Sequence, residues 1–267
     1  MAKRPEEQEM PFLDHLEELR WGLIRSLIAL AIGMVICFVV APYILQVLTF
    51  PANRLDPPLM FQFLKVQGML IVYLEIGFFG GLILALPYIF YQLWQFVAPG
   101  LLANERRYFI PLIFCGTILF MIGLSMAYWI VLPLALNFLV GLAPSDINAN
   151  IAIDFYIGFA LRLMFLFGVV FELPLVCYFL AKIGIITSEF MRTYRRHGII
   201  IIFVIAAFLT PPDPITQVVL GIPLLLLYEV SVLIVRSVEK NAAKRERLAE
   251  EKFREEMEKE KTQTDSN

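Results

Sequence analysis

The side chains best placed to do chemistry in this sequence are carboxylates standing beside arginines, at two points that flank long apolar runs. In HLEELR (15–20) Glu17 and Glu18 precede Arg20, with Asp14 just before, and in NERR (104–107) Glu105 precedes Arg106 and Arg107. A carboxylate accepts a guanidinium through two parallel charge-assisted hydrogen bonds, a fork geometry that lysine does not reproduce. Each stretch alone also reads as an ordinary helix end, because early acids complement the helix dipole and exposed Glu–Arg pairs are common. On one face of a membrane, Glu18 and Glu105 together would receive a cationic partner.

Four more ionisable residues, Glu75, Arg162, Glu172 and Glu229, fall inside apolar runs, where a charge is costly enough to suggest a role. Glu75 and Arg162 sit near the outer ends of their helices and read as structural residues that reach the headgroups. Glu229 is about six residues from a cytoplasmic end, within reach of water or a neighbouring arginine. Glu172 is about nine residues, roughly 14 Å, from its cytoplasmic end and two before Pro174, too deep to reach out. It reads either as a polar contact facing a wet cavity or a partner across the bundle, or as a buried neutral carboxyl that only hydrogen-bonds.

Other chemistry lacks its residues. His15 and His197 lie outside the apolar runs with no thiol or carboxylate at ligand spacing, so no metal and no cofactor are expected. Gly123-Leu124-Ser125 has no intramembrane histidine to act as base, and no phosphate-binding loop is present, which argues against an enzyme. A net charge of −2 argues against nucleic acid as a partner.

The elements that must position these groups are membrane helices. Apolar and aromatic residues make up 59% of the 267 residues and charged ones 17%, the balance of an integral membrane protein. Six apolar runs, about 22–44, 70–97, 108–132, 156–181, 198–210 and 215–235, predict an all-α bundle of six transmembrane helices. The last two runs are short, and read as short spans in preference to a re-entrant hairpin. Lysines and arginines number 19 in the two ends and the alternate loops on their side, against 2 (Arg54, Lys65) in the other loops, which predicts cytoplasmic N and C termini. Pro87, Pro111, Pro133, Pro174 and Pro223 predict a kinked, concave bundle, and Gly77, Gly80 and Gly81 a face for close helix contact. The chain thus divides into a cytoplasmic amphipathic segment (1–21), a membrane domain (22–235) and a charged tail (236–267), helical or disordered. The acidic start lacks the basic head of a signal peptide, so the first span is expected to be retained. Cys37, Cys115 and Cys177 lie in apolar runs and imply no disulfide.

Taken in order, HLEELR, LPYIFYQLWQFVAPGL with NERR, GLSMAYWIVLPLALNFL, FGVVFELP, LTPPDPITQ and IPLLLLYE resemble the TatC family of the twin-arginine protein translocase over nearly the whole chain. The resemblance implies a receptor in the bacterial inner membrane for folded precursors whose signal peptides carry two arginines. It would work in a multimeric complex in membrane lipid with TatA- and TatB-type single-span subunits, driven by the proton-motive force. The positions matching the family's signal-recognition site are Glu18, Arg20, Phe96, Glu105 and Arg106. Glu172 matches its polar residue in helix four, a contact for the inserted peptide or a partner helix. Pro51 and Asp213, with Gln217 just after, match positions that would shape the outer cap and the partner contact. Glu75 departs from the pattern, since a basic residue is expected there. The alternative from another class is a proton-coupled secondary transporter using Glu172; it predicts a polar pathway and repeat symmetry, and neither is visible in the sequence.

Overall fold

The computed structural model describes residues 12–55, 58–97, 109–142, 150–209 and 214–264, and is helical apart from one pair of short strands. Five helical stretches among them are long and apolar enough to cross a bilayer: Leu16–Val39, Gly68–Phe96, Ile110–Gly141, Ile153–Lys182 and Leu220–Arg245. Leu23, Leu27, Ile32 and Val35 each leave more than half their surface uncovered, which suits hydrocarbon and not water. The fifth apolar run forms a helix of 15 residues, Arg195–Leu209, about 22 Å long and below the length of a full span. The chain packs as two compact units, Met1–Val170 and Phe171–Asn267.

In the first unit, α1 (Phe12–Val39) ends earlier than the first apolar run. The chain turns at Val40 and restarts as α2 (Ala41–Asn53), with Pro42 in its first turn, where a missing N–H leaves no hydrogen bond unmade. After the strand β1 (Met60–Gln62), α3 (Gly68–Val97) returns against α1 through the expected glycine face. A Cβ on Gly33 would lie 2.7 Å from the Gly81 carbonyl oxygen, and one on Gly80 2.9 Å from Cys37 Sγ. Only glycine lets the two backbones approach this closely.

The third span is α4 (Phe109–Met126), a π-helical turn (Ala127–Val131) and α5 (Leu132–Gly141), so the interruption lies just before Pro133. Strand β2 (Asn150–Ala152) then pairs in parallel with β1, Phe61 opposite Ile151, and leads into α6 (Ile153–Phe171). The core holds Val72, Ile76, Phe120, Leu132, Ile157, Leu163 and Phe167. Pro51 lies inside α2, where its missing N–H deprives the Val47 carbonyl of its helical donor. The Tyr128 hydroxyl takes that place, donating to Val47 O at 2.6 Å, and Tyr156 donates to Leu48 O at 2.7 Å.

The second unit contains α7 (Leu173–Lys182), α8 (Ser188–Thr193), α9 (Arg195–Leu209) and α10 (Pro214–Thr264). α7 ends in a turn that needs Gly184 at φ +78°, with Ile185 N–H donating to Leu180 O at 2.9 Å. Thr187 caps α8 by accepting from Phe190 N–H at 3.1 Å. Met191, Val232 and Val235 form a buried cluster covered by Cys177, Ala181, Ile186 and Tyr228, and the Tyr228 hydroxyl donates to Met191 O at 2.7 Å. α10 is continuous for 51 residues, through Pro223 and on through the charged tail, which is therefore helical at least to Thr264. α3 likewise runs unbroken through Pro87, so among the described residues the interruptions fall near Pro133 and Pro174 alone of the prolines expected to punctuate the spans.

Candidate functional site

The beginning of α1 and the end of α3 border an open cavity of about 360 Å³. Glu17, Glu18, Trp21, Gly22 and Arg25 line it from α1, one face of two helical turns. From α3 come Gln92, Gln95 and Phe96, which share a face because they lie three and four residues apart. Two acids, one arginine, two amides and two aromatic rings thus converge at one end of two apolar helices. The wall is close at Gly22, where a Cβ would meet Gln92 Oε1 at 3.6 Å. Gln92 is 7% exposed, one of two buried polar side chains among the described residues.

The residues expected to act together separate in part. Glu18 and Phe96 line the same cavity, with Glu18 half-buried. Arg20 does not line it: its guanidinium carbon stands 5.7 Å from the centroid of the Trp21 ring. Glu105 and Arg106 lie outside the described residues, as does Asp213. Arg25, Gln92 and Gln95 also line the cavity and were not singled out from the sequence. The available signal was the pair of amides at i and i+3 at the end of an apolar run.

Glu172 stands where α6 stops at Phe171 and α7 restarts at Leu173, with φ −75° and ψ −17°. Pro174 explains the restart, because the first turn of a helix tolerates its missing N–H. Glu172 Oε1 is shielded and has no hydrogen-bond partner among the described residues. Glu229 pairs with Arg195, Nη2 to Oε1 2.6 Å. Gln217 Nε2 donates to Phe203 O at 2.8 Å and so ties α10 to α9. Pro51 is buried in the last turn of α2.

Glu75 and Arg162, read as separate headgroup-seeking residues, pair with each other, Arg162 Nη2 standing 3.7 Å from Glu75 Oε1. Gly158, one turn before Arg162, leaves room for the acid: a Cβ there would come 3.2 Å from Glu75 Oε2.

Comparison with known proteins finds relatives over most of the chain. The family model for Sec-independent protein translocase protein (TatC) matches residues 14–223. Among curated relatives, the TatC of Aquifex aeolicus is 44% identical over 227 residues, 84% of this chain and 94% of that one. The TatC of Campylobacter jejuni is 37% identical over 89% of this chain and 97% of its own. A crystal structure of the twin-arginine translocase receptor TatC superposes with a TM-score of 0.79 at 42% identity, covering 84% of this chain and 99% of that one. The chain belongs to the TatC family, the membrane-embedded components of the Sec-independent protein translocase.

Proposed function

We propose that this chain is the receptor subunit that binds twin-arginine signal peptides of folded precursors, and that the cavity between the start of α1 and the end of α3 is part of the binding site. The observation that carries this reading is the convergence of Glu17, Glu18, Gln92, Gln95 and Phe96 on one 360 Å³ space. A guanidinium entering it meets carboxylate oxygens for paired hydrogen bonds, amide oxygens as further acceptors, and aromatic faces to stack on. Lysine would supply one point charge and no planar fork. Glu105 and Arg106 would complete the site from the loop that follows α3.

In this reading the site is cytoplasmic, both termini face the cytoplasm, and the membrane is the bacterial inner membrane. α9 and the first part of α10 then form the fifth and sixth crossings, short enough to require local thinning of the bilayer. Glu172, at a helix interruption inside an apolar span, would serve as a polar contact for the inserted peptide or a partner helix, and Pro51, Asp213 and Gln217 would shape the outer contacts. Single-span subunits of the TatA and TatB type, assembled in a multimeric complex, would complete the translocase, and the proton-motive force would drive it. The residues 22–235 act as the membrane domain between the amphipathic start and the charged tail.

The test is binding of a labelled signal peptide carrying Arg-Arg, beside its Lys-Lys twin, to membranes containing this protein or its Glu18→Gln variant. Loss of one charge-assisted pair is expected to weaken the Arg-Arg peptide about tenfold while leaving the Lys-Lys peptide nearly unchanged. Equal binding of both peptides to both proteins, with matched melting curves, overturns the reading.

A further inference from the structure

Another cavity, of about 220 Å³, lies in the first unit between α2 and the third span; its lining is mainly apolar and aromatic, with Phe50, Pro51, Leu55, Trp129 and Pro133, and carries the polar groups of Arg54, Tyr128 and Asn137. Trp129 stands 19 residues into the 32-residue span Ile110–Gly141, about 28 Å along the helix, in the half of the span that ends at Gly141. Its cation is Arg54, whose guanidinium carbon stands 4.4 Å from the centroid of the Phe50 ring. The Phe50 contact uses no guanidinium N–H, which leaves those donors for an anion. Arg54 belongs to no ion pair among the described residues.

Two other donors border the same space. Asn137 Nδ2 donates to Pro133 O at 2.9 Å, which uses one of its two N–H bonds. Trp129 is 60% exposed, its ring edge-on to Phe50 at 6.3 Å, and its indole N–H makes no hydrogen bond among the described residues. A single π-helical turn sets Trp129 here, a local departure that is common at functional sites. On the same helices Val47, Ile130 and Leu134, the latter two next in sequence to Trp129 and Pro133, are apolar and exposed.

We propose that this cavity binds the phosphate of a phospholipid headgroup in the leaflet bordered by α2. Arg54 receives the phosphate oxygens along its N–H edge, with Asn137 and Trp129 as additional donors, while the acyl chains cover Val47, Ile130 and Leu134. The charge on Arg54 selects an anion. The apolar surround selects one that carries hydrocarbon, and therefore a lipid over a free phosphate. The site is separate from the arginine-binding cavity and stands or falls independently of it.

The full-length protein in detergent, titrated with phosphatidylglycerol and read by native mass spectrometry, tests the assignment. One phosphatidylglycerol is expected to stay bound, with diacylglycerol of the same chains not retained. Arg54→Gln is expected to weaken retention about tenfold, and Arg54→Lys less, because lysine keeps the charge and loses the fork. Trp129→Phe keeps the ring against Phe50 and removes one donor, so it reports on the site if Arg54→Gln folds poorly; a severalfold loss is expected. Retention unchanged in Arg54→Lys and Trp129→Phe, or equal retention of diacylglycerol, overturns the proposal. Displacement of the lipid by an equal concentration of glycerol 3-phosphate overturns the lipid as occupant.

Discussion

Arg162 Nη2 lies 3.7 Å from Glu75 Oε1, joining two helices of the first unit by an ionic contact where the family pattern leads one to expect a basic residue at position 75. With an acid at 75, the cation comes from α6. The carboxylate is the more enclosed partner, its side chain 24% exposed against 65% for Arg162, and one of its oxygens is shielded without a hydrogen bond among the described residues. Removing the charge therefore acts mainly on the environment of Glu75, and the exposed arginine limits what the pair contributes. Glu75→Gln is expected to lower the melting temperature slightly and Glu75→Lys markedly, because like charges then face each other. Glu75→Lys combined with Arg162→Glu should recover most of the loss; a double variant no better than Glu75→Lys alone would show that the pair does not couple.

The contact between α1 and α3 gives a sharper expectation. A Cβ on Gly81 would stand 2.6 Å from Met34 Cα, backbone that cannot swing aside, so Gly81→Ala must push the helices apart. A loss of about 1–3 kcal/mol is expected, the range for overpacking a tight core. Gly141, in the last turn of α5, has nothing within 4 Å of its would-be Cβ, and Gly141→Ala should be neutral or slightly stabilising. Thermal unfolding of the two variants in one detergent checks both.

How far the fold was legible follows from the range of each interaction. Apolar runs and the Gly77, Gly80 and Gly81 face are local patterns, and the helices and their close contact agree with them. The β1–β2 pairing joins Met60 to Asn150 across 90 positions through three-residue strands, too short to carry a pattern of their own. The division between α1 and α2 falls inside a continuous apolar stretch, where hydropathy has no boundary to register. At the candidate site, Glu18 and Phe96 were identifiable from motifs and the Gln92/Gln95 amide pair left a weak local signal, whereas Arg25 and the convergence of all five became visible only when two distant helix ends met.

The charged tail illustrates the same limit and carries a third prediction. It carries an anchor near its start: Ser188 N–H donates to Glu239 Oε1 at 2.8 Å and the Ser188 hydroxyl to Oε2, so α10 holds the first turn of α8. Glu239→Ala should leave that turn without its acceptor and speed hydrogen exchange across 186–193 by about tenfold to a hundredfold, consistent with about 1.5–3 kcal/mol for hydrogen bonds to a charged group. Truncation after Lys244 should leave exchange there unchanged. Truncation after Arg236 should reproduce the effect of Glu239→Ala, and protection surviving that cut would remove the anchor from the account.

Pro51 and Tyr128 supply the last prediction, because each explains the other. A proline inside α2 takes away the N–H that would have served the Val47 carbonyl, and the Tyr128 hydroxyl, 2.6 Å from that oxygen, serves it from another helix. Tyr128→Phe strands a carbonyl in a largely apolar setting, a loss of about 1–3 kcal/mol. Pro51→Ala restores a helical donor, so in that background the same Tyr128→Phe change should cost much less. A double-mutant cycle on thermal unfolding reads the difference directly as a coupling between the two sites. Additive losses would mean that Pro51 acts through its ring packing, at a position where it is buried and lines the cavity with Arg54, and not through the carbonyl it leaves unserved.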